Sequence, residues 1–400
     1  MFFTELYYLG GLSRFITLLV ENWPKEDNLI FICNENIPGL SEIKAKFKDI
    51  CEVVTHEKGV RAEDQKCAIL GMLPKKIRTG LAVLGQYVTL GGKAIFFWRL
   101  IRRYCPDRIM IINGGYPGGF TCRAVALGGL LRTGANKPIM NYHNLPLKSH
   151  WLISIPEYLI DFMVGKGVSC FVTVSEICKQ QLINRPGLFR VKKKKVILNG
   201  TAISPVGGSS DIRSELRIPK ENPIILMLAT YEERKGHIFL IKAFEKVKRV
   251  ISNAHLVIAG DGSAKEIEKV KNVVNYYSFS KEVHFLGFRN DTVDLLRQSE
   301  VVVVPSQHSE SFGLTIVESM AQRVPVVATA VGGIPEVLEN GKGGYVVPLD
   351  PNLFAEKIIF LLKDPLLRKS VGEIGYEVVQ QRFTIKRMVE DYYHLTRHPA

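Results

Sequence analysis

"VVVVPSQHSESFGLTIVESMAQRVPVVAT", residues 301–329, decides the fold class. Four consecutive valines closed by Pro305 are too short for a buried helix and have the β-branched composition of a strand buried on both faces. A loop of small polar residues follows. Gly313 then opens a helix that runs to about Gln322, and a second apolar strand begins near Pro325. Strand, helix and strand in this order make a parallel unit, because two parallel neighbours need a crossover between them. Ligands of such sheets gather outside the C-terminal ends of the strands, so the loop carrying Glu310 is placed where chemistry is expected.

The same alternation extends in both directions. Downstream of residue 205, apolar runs at 223–229, 255–260, 282–287 and 301–305 are separated by amphipathic stretches. Upstream, the runs at 28–33, 51–55, 108–113, 138–143, 170–175 and 195–200 repeat the pattern less cleanly. The expected class is therefore α/β, with two doubly wound, Rossmann-like domains facing across a cleft. The Ser-, Pro- and Gly-rich "SPVGGSSD" (204–211) reads as the linker, which divides the chain into 1–205 and 206–382, with a terminal helix over 383–400. Only "MFFTEL" precedes the first glycine pair, so the first strand is short or the natural start lies upstream.

Bulk properties narrow the function. At 400 residues and 46% hydrophobic, the chain can fill two cores. Seven scattered cysteines without a C-x-x-C pair argue for reduced thiols in a cytosolic setting, and the N-terminus lacks the features of a secretory signal. The apolar stretches at 80–98 and 150–167 are interrupted by charge, glycine or proline and read as core or interfacial helices. Residues 1–205 hold 28 Lys and Arg against 15 Asp and Glu, whereas residues 206–400 hold 25 against 24. The basic excess belongs to one half, which suits an anionic partner such as a membrane surface. Nucleic acid is the weaker choice, since no recognisable motif or aromatic-interleaved basic stripe is present.

Within the 301–329 unit, Glu310 lies in the loop and Glu318 about a turn and a half into the helix, while amides around Phe312, Gly313 and Leu314 open the helix. Two acids so far apart would not act on one atom. They could grip two ends of a hydroxyl-rich ligand, with the helix N-terminus favouring its phosphate. Taken alone, the pair reads first as Glu310 capping the helix and Glu318 solvated. Neighbouring motifs point to the same rim: Gly332, Gly333 and Pro335 form a turn into another helix start, and "ATYEERKGH" (229–237) brings Arg234 and Lys235 to the end of the 223–229 strand. Two cations there can offset the charge of a diphosphate leaving group.

In these residues the chain resembles the family-4 retaining glycosyltransferases of the GT-B fold. The stretches that carry the resemblance are "ESFGLTIVE", "GGIPE", "RKG", "LVIAGDG" and "VHFLG" in the second half and "YLGGLSRF", "YHNLP", "VTVSE" and "VILNG" in the first, in the expected order over about residues 5–350. The resemblance implies that Glu318 takes the ribose hydroxyls of a nucleotide diphosphate sugar and Glu310 a hydroxyl of its sugar. Amides at Phe312, Gly313 and Leu314 would orient sugar and phosphate, and backbone near Phe288 would hold the base. Lys235 would contact the diphosphate, helped by Gly10 and Gly11, and His143 would reach the sugar from the acceptor side. It further implies an acceptor-side first domain completed by the 383–400 helix, and a donor-binding second domain. One departure concerns the phosphate grip: the family arginine five residues before the lysine is Thr230 here, leaving Arg234 as its substitute.

The implied reaction moves a hexosyl or related group from a UDP-sugar or GDP-sugar to a saccharide or lipid-linked acceptor, with no cofactor and no metal, in cell-surface polysaccharide synthesis. For a lipid-linked acceptor the setting is the inner face of the cytoplasmic membrane, with residues 80–103 and the "KKKK" turn (192–195) near anionic headgroups. The alternative is a catalytically inactive sugar-nucleotide-binding subunit of a two-protein enzyme. Thr230 and the short first strand favour it; Glu310, Glu318, Lys235 and His143 oppose it.

Overall fold

The computed structural model describes residues 1–7, 10–57, 75–149, 151–189, 191, 193–203, 210–339 and 341–397. The chain divides into two compact units, one formed by Met1–Ile197 with Met388–Ala400 and the other by Leu198–Arg387. The cut falls ahead of the 204–211 stretch, of which 204–209 lie outside the described residues, as does Lys192 of the basic turn.

The first unit is built on β1 (Phe2–Thr4), β2 (Leu29–Asn34), β3 (Cys51–His56), β4 (Met110–Asn113), β5 (Ile139–Tyr142), β6 (Cys170–Thr173) and β7 (Lys194–Val196). All pairs are parallel, in the order β3-β2-β1-β4-β5-β6-β7. The short first strand is central. Three residues suffice there because Phe2 and Phe3 are buried, Phe3 packs with Ile32 and Ile111, and the Thr4 hydroxyl donates to the Ile112 carbonyl at 2.9 Å.

Crossovers are made by α1 (Gly11–Glu21), α2 (Leu40–Phe47), α3 (Lys75–Tyr104), α4 (Phe120–Gly128), α5 (Ser154–Gly167), α6 (Glu176–Gln180) and α7 (Pro186–Phe189). Helix α3 contains the 80–98 stretch. It turns Leu90, Phe97 and Ile101 inward, and Val88, Ile95 and Phe96 toward solvent. Among the described residues no helix is long and apolar enough to cross a membrane.

The second unit holds β8 (Ile224–Leu228), β9 (His255–Ala259), β10 (Val283–Gly287), β11 (Val301–Val304), β12 (Val326–Thr329) and β13 (Gly344–Val347) in the order β10-β9-β8-β11-β12-β13, again all parallel. Its helices are α8 (Ile212–Leu216), α9 (His237–Val250), α10 (Ala264–Tyr276), α11 (Thr292–Arg297), α12 (Leu314–Ala321), α13 (Ile334–Val337), α14 (Pro351–Lys363) and α15 (Pro365–Arg382). The valines of β11 are buried on both faces, as the opening of the 301–329 stretch predicts. Strand β13 is a "GYVV" run outside the strands expected from the sequence.

A last helix, α16 (Ile385–Arg397), buries Met388, Val389, Tyr392 and Leu395. It is tied to the first unit by Arg108, whose Nε donates to the Thr396 carbonyl at 2.7 Å, and by an Arg397–Asp27 ion pair at 2.7 Å. In both sheets the strand order reverses once, between β1 and β4 and between β8 and β11. Those two switch points are where a doubly wound sheet opens a crevice at its C-terminal rim.

Candidate functional site

In the second unit the loops that leave β8 and β11 border the switch point, and they are clasped together. The Gln307 amide donates to the Arg234 carbonyl at 2.7 Å, and the Gln307 side chain returns to Pro305 at 2.6 Å. Gly236 sits at φ +78°, and a side chain there would run into the Pro305 carbonyl, so a glycine is needed where the two loops touch. The clasp places Lys235 against Glu310, with Nζ donating to Oε2 at 2.6 Å. Sequence reasoning gave these residues separate parts of a ligand; the structure makes them partners.

Glu310 is buried and held on several sides. The Ser306 hydroxyl donates to the same Oε2 at 3.2 Å, and the Gly333 amide donates to the Glu310 carbonyl at 2.8 Å. Burial pushes the Glu310 carboxyl up, but the Lys235 ammonium, aided by Arg234 and Ser306, pulls it further down, so it is ionised below the usual carboxylate range. Gly332, at φ +57°, lies flat against the Glu310 backbone and leaves no room for a β-carbon. Gly332→Ala is therefore expected to destabilise the second unit by about 1–3 kcal/mol and to shift the acid from its place. Urea unfolding checks this, and an unchanged midpoint would contradict it.

Helix α12 begins beside this pair. Gly313 is its left-handed cap at φ +85°, Phe312 is buried with its ring edge-on to Phe383, and the Thr315 hydroxyl reaches the Leu228 carbonyl at 3.3 Å, tying the first turn to the end of β8. The first amides of a helix have no partner within it, so the Gly313–Leu314 start offers donors at this rim. Leu314, Thr315 and Glu318 are partly exposed while Ile316, Val317, Ser319 and Met320 are buried, so Glu318 shares the helix face of Leu314 one turn on.

Arg234, the expected substitute for the family arginine, is held by a neighbouring acid. Its Nε donates to Glu232 at 2.6 Å, and Thr230 donates to the same carboxylate at 2.9 Å. Phe288 is exposed just past β10, the edge strand and two strands from β8. Sequence reasoning passed over His237, which stacks on Tyr231 at 4.4 Å directly behind the Lys235 turn. Burial and the Lys235 charge lower its pKa to about 4, which makes it a neutral platform under that turn. The signal was its position in "RKGH", immediately after the glycine.

The first unit gathers its own candidates at one rim. Gly10 caps α1, where Ser13 Oγ donates to the Gly10 carbonyl at 2.7 Å, and the space beside Gly10 is open. Phe15, one turn into α1, has its ring 4.1 Å from that of His143. Behind the imidazole stands Asn141. The Asn113 amide donates to Asn141 Oδ1 at 3.2 Å, so Nδ2 is the end that faces His143 Nε2 at 3.1 Å and Tyr392 at 3.3 Å. An amide donor at Nε2 fixes the proton on Nδ1, and burial lowers the His143 pKa to about 3. His143 is thus a neutral hydrogen-bonding group rather than a cation at physiological pH. Asn141 lies in β5 and His143 just past its end, a two-residue spacing that was legible, but the orienting role of the amide was not.

Residues 209–378 match the family model described as Glycosyl transferases group 1. Among curated proteins, the chain is 32% identical to N-acetyl-alpha-D-glucosaminyl L-malate synthase of Bacillus anthracis over 46% of this chain and 47% of that one. It is 30% identical to a lipopolysaccharide core biosynthesis glycosyltransferase of Rhizobium meliloti over 46% of this chain and 52% of that one. The chain thus spans about half the length of the curated relatives it matches. Among solved structures, the Anabaena protein HepE in complex with UDP-glucose superposes with a TM-score of 0.76 at 18% identity, covering 99% of each chain. The whole chain accordingly has the two-sheet architecture of the GT-B glycosyltransferases, and its second unit carries the match to glycosyl transferases group 1.

Proposed function

We propose that the protein is a retaining glycosyltransferase that moves a sugar from a nucleotide diphosphate donor to a saccharide or lipid-linked acceptor in cell-surface polysaccharide synthesis. The observation that carries this reading is the Lys235–Glu310 pair seated at the switch point of the second unit, beside the α12 N-terminus. Breaking an anomeric bond leaves a diphosphate and gives the sugar oxocarbenium character, so the site must stabilise anionic oxygens as they gain charge. Lys235 and the amides at Gly313 and Leu314 supply that without a metal.

In this reading the Lys235–Glu310 pair is the resting arrangement. An arriving diphosphate takes Lys235 as its counter-ion, and the released Glu310 carboxylate accepts hydrogen bonds from the donor sugar. Glu318 accepts from the ribose and the backbone near Phe288 borders the base. The neutral His143 and the Gly10–Gly11 start of α1 belong to the unit that receives the acceptor. With no covalent nucleophile assigned, departure and attack occur on the same face, and the donor phosphate assists deprotonation of the acceptor hydroxyl. The HepE complex supports a uridine donor by likeness of fold, and the Rhizobium relative's printed role supports a lipopolysaccharide-type acceptor.

A panel of UDP- and GDP-sugars tests the reading. The matching donor at 100 times its Kd should add about 2.7 kcal/mol to native stability and raise the unfolding temperature accordingly. The same donor should then be consumed in the presence of a saccharide or lipid-linked acceptor, giving a product of unchanged anomeric configuration. No shift with any member of the panel at millimolar concentration would sink it.

A further inference from the structure

Helix α5 is built inside out. Its buried residues include two carboxylates, Glu157 and Asp161, each 1% exposed, whereas Ile155 is 75% exposed, Leu159 53%, Met163 39%, and Tyr158 and Phe162 37% each. At 100° per residue the five apolar side chains fall within an arc of about 140°, centred opposite Glu157, Asp161 and Val164. Trp151, 76% exposed, continues the stripe one turn ahead of Ile155. The outward arc carries no acid. Basic residues flank it: exposed Lys148 before the helix, and Lys166 at its end, with Nζ 4.5 Å from the Phe162 ring.

In water this polarity is unfavourable on both faces. Large apolar side chains left in solvent forfeit the transfer free energy that burial would give them, and burying carboxylates against arginines is at best neutral compared with an apolar core. Hydrocarbon against the outer face reverses the first of these effects. The flanking lysines, the absence of outward carboxylates and the basic excess of residues 1–205 complement a negative surface. Trp151 and Tyr158 are of the amphipathic type that settles at headgroup depth.

We propose that α5 is an interfacial membrane-docking helix that inserts Trp151, Ile155, Tyr158, Leu159, Phe162 and Met163 into the outer layer of an anionic bilayer. The inference stands on the first unit alone and holds whether or not the chain transfers sugars. It names a different element from the 80–103 helix and the basic turn to which the sequence pointed.

Flotation of the full chain with vesicles of mixed phosphatidylglycerol and phosphatidylcholine, and with phosphatidylcholine alone, tests it without any donor. The wild type should float with the anionic vesicles, and Leu159→Glu/Phe162→Glu should lower the bound fraction tenfold or more while keeping the wild-type circular dichroism and unfolding midpoint. Tryptophan emission should shift to the blue on adding anionic vesicles, and Trp151→Phe should abolish that shift. Equal flotation of wild type and double variant would overturn the proposal. So would a micromolar wild-type dimer, seen by sedimentation velocity, that the double variant dissociates while neither protein binds vesicles; the stripe would then be a contact between copies of the chain.

Discussion

Replacing Lys235 by methionine is expected to lower sugar transfer by roughly 10²–10³-fold, the loss usual when one donor to a developing oxyanion is removed. The same substitution should change how stability depends on pH, and this second readout identifies the partner. In the wild type the Glu310 pKa is depressed below its unfolded value, burial being outweighed by Lys235. A depressed carboxyl adds stability that is present above the unfolded value near 4.3 and is lost as pH falls through the folded one. Without Lys235, burial is opposed mainly by Arg234 and Ser306, and the carboxyl moves upward. Its contribution then takes the other sign, present below about pH 4.3 and fading as pH rises through the folded pKa. Stability should therefore fall in the wild type as pH drops below about 4.3, whereas in Lys235→Met it should fall as pH rises above about 4.3.

Lys235→Arg discriminates between charge and shape. It should keep the wild-type slope with pH, because a cation still faces Glu310, yet recover only part of the rate, because a planar fork does not fit where one ammonium bridges carboxylate and phosphate. Full transfer activity in Lys235→Met would remove Lys235 from the chemistry. An unchanged pH slope would mean that the 2.6 Å pair does not set the ionisation of Glu310.

The fold was legible in the sequence wherever burial was two-sided. The runs at 223–229, 255–260 and 301–305 became β8, β9 and β11, because a strand covered on both faces must be apolar throughout and announces itself, and the 282–287 run became the edge strand β10. Short or one-sided strands were less visible. The 195–200 run shrank to Lys194–Val196, and "GYVV" at the other sheet's edge lay unclaimed among the strands. Motif order located the loops but not their contacts. Lys235 and Glu310 are 75 positions apart in sequence, and only the β8–β11 neighbour relation, which spacing does not give, brings them together. In α5, the outward Ile155, Leu159 and Met163 and the inward Glu157 and Asp161 both repeat every four residues, so the sequence, read as a core or interfacial helix, left open which face is buried.

Those inward acids lead to the largest expected stability effect. Glu157 and Asp161 share the interior of the first unit with Arg123 and Arg185, all four about 1% exposed or less. Arg123 pairs with Glu157 at 2.9 Å, Arg185 pairs with both acids and meets Asp161 Oδ2 at 2.8 Å, and the Tyr116 hydroxyl donates to Asp161 at 2.6 Å. Satisfaction is incomplete: Arg123 Nε and Nη2 and Arg185 Nη1 are buried without a hydrogen-bond partner among the described residues. Ring faces offset part of that, with Phe120 4.4 Å from the Arg123 guanidinium and Tyr116 5.1 Å from that of Arg185. Such a cluster adds little net stability, yet removing one member strands a charge in low dielectric.

Arg185→Met is accordingly expected to cost about 3–5 kcal/mol, and adding Asp161→Leu should restore part of it, since the Asp161 carboxylate is then gone while Glu157 keeps Arg123 but not Arg185 and the Tyr116 hydroxyl loses its acceptor. Urea unfolding of the two single variants and the double variant gives the coupling directly. The loop after β4 runs through Tyr116, whose carbonyl accepts from the Leu147 amide at 2.9 Å just beyond His143. Arg185→Met should therefore also weaken vesicle binding through α5, by loosening the element that presents the apolar stripe, and the double variant should regain it. Single variants that unfold at the wild-type urea concentration would show that the four charges are hydrated and independent, and the physical reason for an inverted α5 would disappear with them.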